Sequence, residues 1–432
     1  MDDLTEAQLE RFRADINRAR TPGAYEPGRW SVGPANRDPA VTGGMPERVR
    51  LRDTSMRAIE SLPGVTASRE AKSGFLRLLA RSGVPEIVLA TPSRSGHHGD
   101  GRGLDTVRAD LALVRREHPD CVVYCPFVSA TDGVDLARDL GFDGVQVAVP
   151  AFGPAAGIYR SSIPASRDEV VGQMADVVGH ARTQGLRVAV AFTMVSFLTD
   201  EELAETATAM ASAGADEITL FDGPGALGPE AFGRLVQATA TAAPDLTIGL
   251  HPHNTFGLGV ACAVSAARAG AAVVESSVNG YCGGPGNADL AATAAAFEAL
   301  YGVQTGIRLT ALTELSRTAA ELTGRTPATN QPITGPDAFC WGGGDWVIVE
   351  SDVDPLMHNC VQPALFGNER RIPLTSQSGP RVIAATLHRL GIKVDPASLP
   401  SITARCHAEL TRLGRLLTDD EIRAISRTPL TP

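Results

Sequence analysis

The sequence lacks any apolar run that approaches the ~18 residues needed to span a bilayer. It also lacks an excess of basic residues, because 49 Asp and Glu outnumber 39 Lys and Arg and give a formal charge of -10. Nucleic acids and anionic membranes attract proteins through basic patches, so this balance argues against either as a partner. The segment from Met1 to Leu4 lacks the basic-then-apolar pattern of a signal peptide, which favours the cytoplasm.

Paired cysteine motifs are absent too. The seven cysteines are scattered without a C-x-x-C pair, which fits reduced, buried thiols better than a disulfide framework. No G-x-G-x-x-G follows the first predicted strand, and this argues against a doubly wound dinucleotide-binding sheet. With 432 residues, of which 43% are hydrophobic, the chain is long enough for one large domain with an appendage, or for two domains.

From Arg48 onward, short runs rich in Val and Ile alternate eight times with Ala- and Leu-rich helical patterns. Strands that are apolar throughout and alternate with helices predict a parallel sheet covered on both faces. Eight such units in about 250 residues match a closed (β/α)8 barrel. We therefore predict a TIM barrel over residues 47–302, with an open doubly wound sheet as the alternative. The predicted strands are Val49–Met56, Glu86–Thr91, Cys121–Val128, Gly144–Pro150, Arg187–Val195, Glu217–Asp222, Leu246–His251 and Ala272–Val278.

Two regions flank the predicted barrel. Residues 1–46 predict a polar helix with Thr5 as N-cap, followed by an extended arm rich in Pro and Gly. Residues 303–432 predict a linker and a mainly helical C-terminal region. The helices expected there are Ala311–Thr323, Val382–Leu390 and Thr403–Leu417.

Polar residues cluster where the predicted strands end, which is where barrel enzymes build their sites. His251 and His253 close strand seven, and their i, i+2 spacing directs both imidazoles to one side, where they can reach one metal ion. Asn287 follows a Gly-rich loop after strand eight and offers a carbonyl oxygen. Arg57 and Glu60 lie just past strand one. Because strands one, seven and eight are neighbours in a closed barrel, these residues are expected to converge.

Several segments resemble the condensing branch of the DRE-TIM metallolyases, which includes 2-isopropylmalate, homocitrate and citramalate synthases. Residues 251–259, His-Pro-His-Asn-Thr-Phe-Gly-Leu-Gly, resemble the family's H-x-H-N-D-x-G-L-x. Residues 279–288 resemble N-G-x-G-E-R-x-G-N-x, and residues 53–65 overlay D-T-T-L-R-D-G-E-Q-S-P-G-V, both without a gap. Residues 330–335 resemble the linker region that follows the barrel in the synthases. The resemblance covers roughly residues 47–392.

The resemblance implies a divalent metal ion, Zn, Mn or Mg, held by His251, His253 and Asn287. It implies that Arg57 stabilises an enolate as the catalytic cation, with Glu60 beside it as a second catalytic residue. It also implies an acyl-CoA cosubstrate, such as acetyl-CoA. Four further residues are predicted to bind the substrate: Asn254, Thr193, His97 and Cys282.

The departures from the family pattern are also informative. The family's strand-one aspartate, a metal ligand, is Ala58 here, and losing this anionic oxygen should weaken a hard divalent ion. Asp53 or Glu60 is a candidate substitute for it. The two histidines of the family's post-barrel motif are Trp341 and Trp346, and one of them belongs to the acid/base machinery. A pocket with fewer cationic and polar groups suits a substrate bulkier or less charged than the small 2-oxo acids, because an unpaired buried carboxylate is costly.

We therefore predict an enzyme of specialised metabolism that forms a carbon–carbon bond. The reaction is a Claisen or aldol condensation of an acyl-CoA, or another enolisable donor, with a small-molecule carbonyl acceptor. A retro-aldol or retro-Claisen lyase of the 3-hydroxy-3-methylglutaryl-CoA lyase type is the alternative, with Cys282 as its acid. A third alternative is a catalytically degenerate barrel kept as a binding subunit.

We predict a homodimer in which the region after residue 301 packs over the barrel mouth of the partner. Phe339, Trp341 and Trp346 are large apolar side chains in an irregular stretch, and they need a surface to cover them. Light scattering coupled to size exclusion should give twice the chain mass of 45.2 kDa. A monomer at micromolar concentration would contradict this prediction.

Overall fold

The computed structural model describes residues 5–93, 102–150 and 166–427. The chain divides into two compact units: one spans Ala35–Pro327, and the other combines Met1–Pro34 with Ala328–Pro432. The domain boundaries predicted at residues 46 and 302 stay predictions.

The unit Ala35–Pro327 contains a closed barrel of eight parallel strands, which confirms the predicted TIM barrel. Neighbours in the barrel follow chain order, and the last strand pairs with the first through Val273 beside Arg50 and Ser276 beside Asp53. Parallel neighbours need crossover connections, and helices between the strands supply them. The strands are β1 (Arg50–Asp53), β2 (Glu86–Val88), β3 (Val122–Val128), β4 (Gly144–Pro150), β5 (Arg187–Thr193), β6 (Glu217–Asp222), β7 (Thr247–Pro252) and β8 (Val273–Ser276).

Helices flank the barrel, and side-chain caps fix where several of them begin. Ser166 and Thr199 each form a capping box with the glutamate three residues later, which satisfies free amide groups of the first turn. Two short helices, Pro39–Thr42 and Ser55–Ala58, precede and follow β1. The longer helices are Arg69–Arg81, Leu104–Glu117, Thr131–Leu140, Arg167–Thr183, Asp200–Ser212, Pro229–Ala242, Gly259–Arg268, Leu290–Ala295 and Leu312–Thr323.

A buried ionic network fills part of the barrel interior. Arg52 on β1 is fully buried, and the strand register places it beside Glu86 of β2 and Glu275 of β8. Its guanidinium donates to Glu86 at 2.7 Å, to both oxygens of Glu217 at 2.7 and 2.8 Å, and to Glu275 at 3.2 Å. It also lies 4.2 Å from the centroid of the Tyr124 ring. One cation thus holds three buried carboxylates together through charge-assisted hydrogen bonds.

The second unit is mainly helical in the part that the structure describes. Its helices include Glu6–Arg18, which begins with a capping box at Thr5 as predicted. The others are Trp346–Val353, Pro380–Arg389, Leu399–Leu413 and Asp419–Arg427. The last three bury a shared apolar cluster that includes Ile383, Leu387, Ile402, Cys406 and Ile422. Among the described residues, no helix is both long enough and apolar enough to cross a bilayer.

We expect Arg52→Leu to lower the free energy of unfolding by about 3–5 kcal/mol, because it removes the fully buried cation that pairs with three carboxylates. Chemical denaturation followed by circular dichroism measures this change. The matched control is Arg234→Leu, which breaks an ion pair with Asp200 whose side chains are 59% and 63% exposed. That loss should stay within about 1 kcal/mol. Equal effects of the two substitutions would contradict a stabilising role of the network.

Candidate active site

His251 is a buried residue of β7 whose ring is fixed from two sides. Its Nδ1 lies 2.8 Å from Oε2 of Glu275 on β8, and the ring stacks on Phe221 of β6 with centroids 4.1 Å apart. Burial disfavours the imidazolium, but hydrogen bonds to Cys282 and Glu275 outweigh burial and raise the pKa of His251. The contact with Glu275 orients the ring, which leaves Nε2 as the nitrogen available to a ligand.

His251 and two neighbouring side chains bring their metal-ligating atoms together. The ligand atoms of His251, His253 and Cys282 lie within 4.8 Å of one another. His251 and Cys282 are buried and His253 is partly buried. Burial raises the pKa of the Cys282 thiol, but hydrogen bonds to both histidines outweigh it and lower the pKa to about 5. The fold thus brings the loop cysteine after β8 against the histidine pair at the end of β7.

Asn287 joins the same cluster from the loop after β8. An antiparallel bridge pairs it with His253, and its Nδ2 donates to Thr54 Oγ1 at 3.1 Å. Its Oδ1 is buried and has no hydrogen-bond partner within the described part of the chain. The loop turns at Gly286, where φ is +86° and an added Cβ would overlap the carbonyl oxygen of Gly280. A buried amide oxygen without a partner costs free energy unless a ligand satisfies it.

Arg57 presents a positive charge to this cluster. It lies on the helix Ser55–Ala58 directly after β1, and its guanidinium is 4.7 Å from the centroid of the Phe127 ring. Its Nε and Nη2 are buried, and neither has a hydrogen-bond partner in the described ranges. Its charge contributes to lowering the pKa of the Cys282 thiol. A partly buried cation with two buried, unpartnered donors is suited to an anionic ligand.

The remaining predicted site residues have other surroundings. The side-chain oxygen of Asn254 accepts a hydrogen bond from the Gly259 amide at 2.9 Å, so it supports the start of the helix Gly259–Arg268. Thr193 is buried at the end of β5. Substrate binding by Asn254 and Thr193 stays a prediction. His97 lies outside the described residues, and so does the side chain of Glu60.

Sequence reasoning missed two residues that support the site. Glu275 orients His251, and Phe221 stacks on its ring. The signal for Glu275 was available, because it is the single charged residue of the apolar run Ala272–Val278. Phe221 gave no signal, since an aromatic residue in a buried strand is ordinary core.

Asp53, a candidate substitute for the missing carboxylate ligand, is already engaged. Its two oxygens accept hydrogen bonds from the backbone N and the Oγ of Ser55, both at 2.8 Å. Ser55 Oγ in turn accepts from the amide of Val278 at 2.8 Å, which ties the end of β1 to the turn after β8. Burial raises the pKa of Asp53 to about 7, although the bonds from Ser55 oppose this. Asp53 thus supports the backbone around the site.

Comparison with known proteins identifies relatives across most of the chain. Residues 48–319 match the model of a family described as HMGL-like. A 2-phosphonomethylmalate synthase from Streptomyces rubellomurinus is 32% identical over 376 residues, which cover 86% of this chain and 96% of that protein. A homocitrate synthase from Methanopyrus kandleri is 30% identical, with coverage of 89% and 94%. A putative (R)-citramalate synthase from the same organism is 32% identical, with coverage of 89% and 73%.

Solved structures with the same fold include two HMG-CoA lyases. The lyase from Bacillus subtilis superposes with a TM-score of 0.58 at 20% identity, over 66% of this chain and 97% of that chain. The lyase from Acinetobacter baumannii, solved with coenzyme A and 3-methylmalate, gives a TM-score of 0.58 at 19% identity, over 66% and 94%. At this identity the likeness supports the fold alone.

We predict that Asp53→Asn removes a pH dependence of stability. The Asp53 carboxyl titrates at about 7 in the folded protein and at about 3.9 when unfolded. A carboxyl whose pKa is higher in the folded protein than in the unfolded chain stabilises the fold fully at pH values below the unfolded pKa. This stabilisation is lost as the pH rises to the folded pKa. Relative to the variant, the free energy of unfolding of the wild type should fall by about 1.4 kcal/mol per pH unit between the two pKa values, and should not change further above them.

Chemical denaturation of both proteins from pH 5 to 8 measures this difference. The control is Asp200→Asn, which changes an exposed carboxyl and should leave the slope unchanged. Parallel curves for the wild type and Asp53→Asn would contradict the assignment.

Proposed function

Because the chain belongs to the HMGL-like family, we propose that it catalyses a Claisen-type condensation of an acyl-CoA with a carbonyl acceptor. The protein is an enzyme, an acyltransferase or a carbon–carbon lyase of the DRE-TIM type. Condensation is favoured within that pair because relatives at 30–32% identity are named as synthases. The solved lyases share the fold at 19–20% identity and carry less weight.

The observation that carries the proposal is the position of Arg57 next to the cluster of His251, His253 and Cys282, with its Nε and Nη2 unpartnered among the described residues. Removing a proton next to a thioester carbonyl places negative charge on the carbonyl oxygen. A fixed cation in a buried position stabilises that charge and does not need to reorganise during the reaction. Because Nε and Nη2 of Arg57 have no protein partner among the described residues, they remain available for this oxygen.

The residues of the site fit a divalent metal ion. Two imidazoles, one thiol and the unpartnered Oδ1 of Asn287 provide the donor atoms. Such an ion supplies Lewis-acid polarisation of a carbonyl. The protein's own contribution is to hold these donors: Glu275 orients His251, and Thr54 orients the Asn287 amide.

The acceptor we propose is bulkier or less charged than the small 2-oxo acids. Ala58 is buried and carries a methyl group where the family pattern has a carboxylate. In the second unit, Trp341 and Trp346 replace two family histidines. They are 40% and 45% exposed, and both rings lie about 5 Å from His358.

The exposed aromatic cluster of Trp341 and Trp346 supports the proposed homodimer, since it leaves apolar surface for a partner to cover.

A lyase of the HMG-CoA lyase type remains the second candidate because of Cys282. Its buried thiol lies in the loop after β8 and contacts the two histidines at the end of β7, so it is positioned to exchange a proton with a bound substrate. Two incubations separate the reactions: acyl-CoAs with a panel of carbonyl acceptors, followed by a free-thiol assay, and 3-hydroxyacyl-CoAs alone, followed by chromatography of the shorter acyl-CoA that cleavage forms. Release of coenzyme A that requires the acceptor supports condensation. Cleavage of a 3-hydroxyacyl-CoA without an acceptor supports the lyase, and the absence of both favours the binding subunit.

We predict that Arg57→Ala lowers kcat/KM by at least about 100-fold, the scale expected when one oxyanion-stabilising group is lost. The melting temperature should stay unchanged, because Arg57 lies just past a strand end at the barrel mouth, and its Nε and Nη2 have no hydrogen-bond partner in the described part of the chain. Arg57→Lys is the matched variant and should retain part of the rate, since it keeps the charge. A near-wild-type rate for Arg57→Ala would mean that another group stabilises the enolate.

A further inference from the structure

Among the described residues, no carboxylate is available to give a metal ion its anionic ligand at this site. At the position where the family places an aspartate, this chain has the methyl group of Ala58. The nearby carboxylate of Asp53 is held by Ser55. The carboxylate of Glu275 is shared between Arg52, Gln146 and Nδ1 of His251. Neither acid is free to complete a site at the end of β7.

Cys282 occupies a position that a metal ligand needs. In the described ranges, one group of three His, Cys, Asp or Glu ligand atoms lies within a common 4.8 Å, and its members are His251, His253 and Cys282. Zinc lies ~2.0–2.3 Å from imidazole nitrogen and thiolate sulfur, so two donor atoms that bind one ion are at most about 4.6 Å apart. The unpartnered Oδ1 of Asn287, which is 1% exposed, adds a fourth donor from the residue that bridges to His253.

We propose that the Cys282 thiolate is the anionic metal ligand of this enzyme, and that it takes over the role of the carboxylate that Ala58 removes. The site is then a zinc site formed by His251, His253 and Cys282, with Asn287 as a further oxygen donor. This inference deepens the proposed function by naming the ligand set, and it does not depend on which substrate is used.

The ligand set selects the ion. Thiolate and imidazole are soft and borderline donors that suit zinc, whereas Mg²⁺ and Mn²⁺ favour carboxylate and carbonyl oxygens. Replacing a carboxylate with a thiolate therefore moves the preference from hard ions towards zinc. A metal-bound thiolate is also not an acid, so this arrangement favours condensation over the lyase in which Cys282 donates a proton.

The shape of the loop supports ligation rather than a chance contact. The bridge between His253 and Asn287 fixes one side of the loop, and the turn at Gly286 admits no side chain. His251 is held at Nδ1 by Glu275, which is the carboxylate–histidine arrangement typical of metal ligands. The sulfur thus lies on a constrained backbone next to an oriented imidazole.

Cobalt spectroscopy of the metal-free full chain tests the proposal. Co²⁺ bound by a thiolate gives a charge-transfer band in the near ultraviolet, and we expect this band in the wild type and its absence in Cys282→Ser. Calorimetric titration should show zinc binding weakened at least about 100-fold in that variant, because even an outer-shell partner accounts for about 10–100-fold. Cys262→Ala is the matched control, since Cys262 is also buried but lies on the helix Gly259–Arg268, and it should keep both the band and the affinity.

A second variant tests the exchange of ligands directly. Cys282→Ala combined with Ala58→Asp should bind divalent ions more tightly than Cys282→Ala alone, with the gain larger for Mn²⁺ than for zinc and without the charge-transfer band. A wild type whose cobalt complex lacks the band, or that binds neither zinc nor cobalt, would overturn the proposal. So would zinc affinity unchanged in Cys282→Ser. A wild type that shows the band but condenses no acyl-CoA would refute the proposed function and leave the ligand assignment standing.

Discussion

The carboxylate of Glu275 connects the barrel core to the candidate active site. One of its oxygens accepts from Arg52 and Gln146, and the other contacts Nδ1 of His251. Burial disfavours the charged form of Glu275, but its contacts with His251 and Arg52 outweigh burial and lower its pKa. The carboxylate therefore stays ionised, and this charge keeps the imidazole oriented. The ionic network below the site thus determines the electrostatics of the residues above it.

The site also depends on the loop after β8 returning to the end of β7. The bridge between His253 and Asn287 makes this return, and two hydrogen bonds, from Asn287 to Thr54 and from Val278 to Ser55, join the same segment to the end of β1. Each joins segments that are far apart in sequence but adjacent in the barrel. The loop is therefore positioned by backbone and small polar side chains, and Arg57 and Cys282 are left free of these structural contacts.

The sequence predicted the barrel and the histidine pair, because both rest on local signals. Apolar runs alternating with helices indicate β/α units, and a His-x-His at the end of a run directs both rings to one side. Partners from distant segments gave weaker signals. Arg52 and Glu275 are 223 residues apart, and each reads as an isolated charge in a strand. The sequence predicted that Cys282 binds the substrate or acts as the acid of a lyase, and only the folded chain places its sulfur within 4.8 Å of the histidine nitrogens. The predicted first strand was too long for a similar reason, since Asp53 binds Ser55 and the helix Ser55–Ala58 begins there.

The pairing of β8 with β1 has a consequence for biosynthesis. During translation, the segment that carries Arg57 emerges more than 190 residues before His251, as the printed numbering shows. Until β8 joins β1, Thr54 has no Asn287 to orient and Ser55 has no Val278 amide to accept. The complete constellation therefore arises only when the ring of strands closes, late in synthesis. A truncated or stalled chain would expose separate histidines and a thiol without the preorganised pocket, so the ability to bind substrate reports that the barrel has closed.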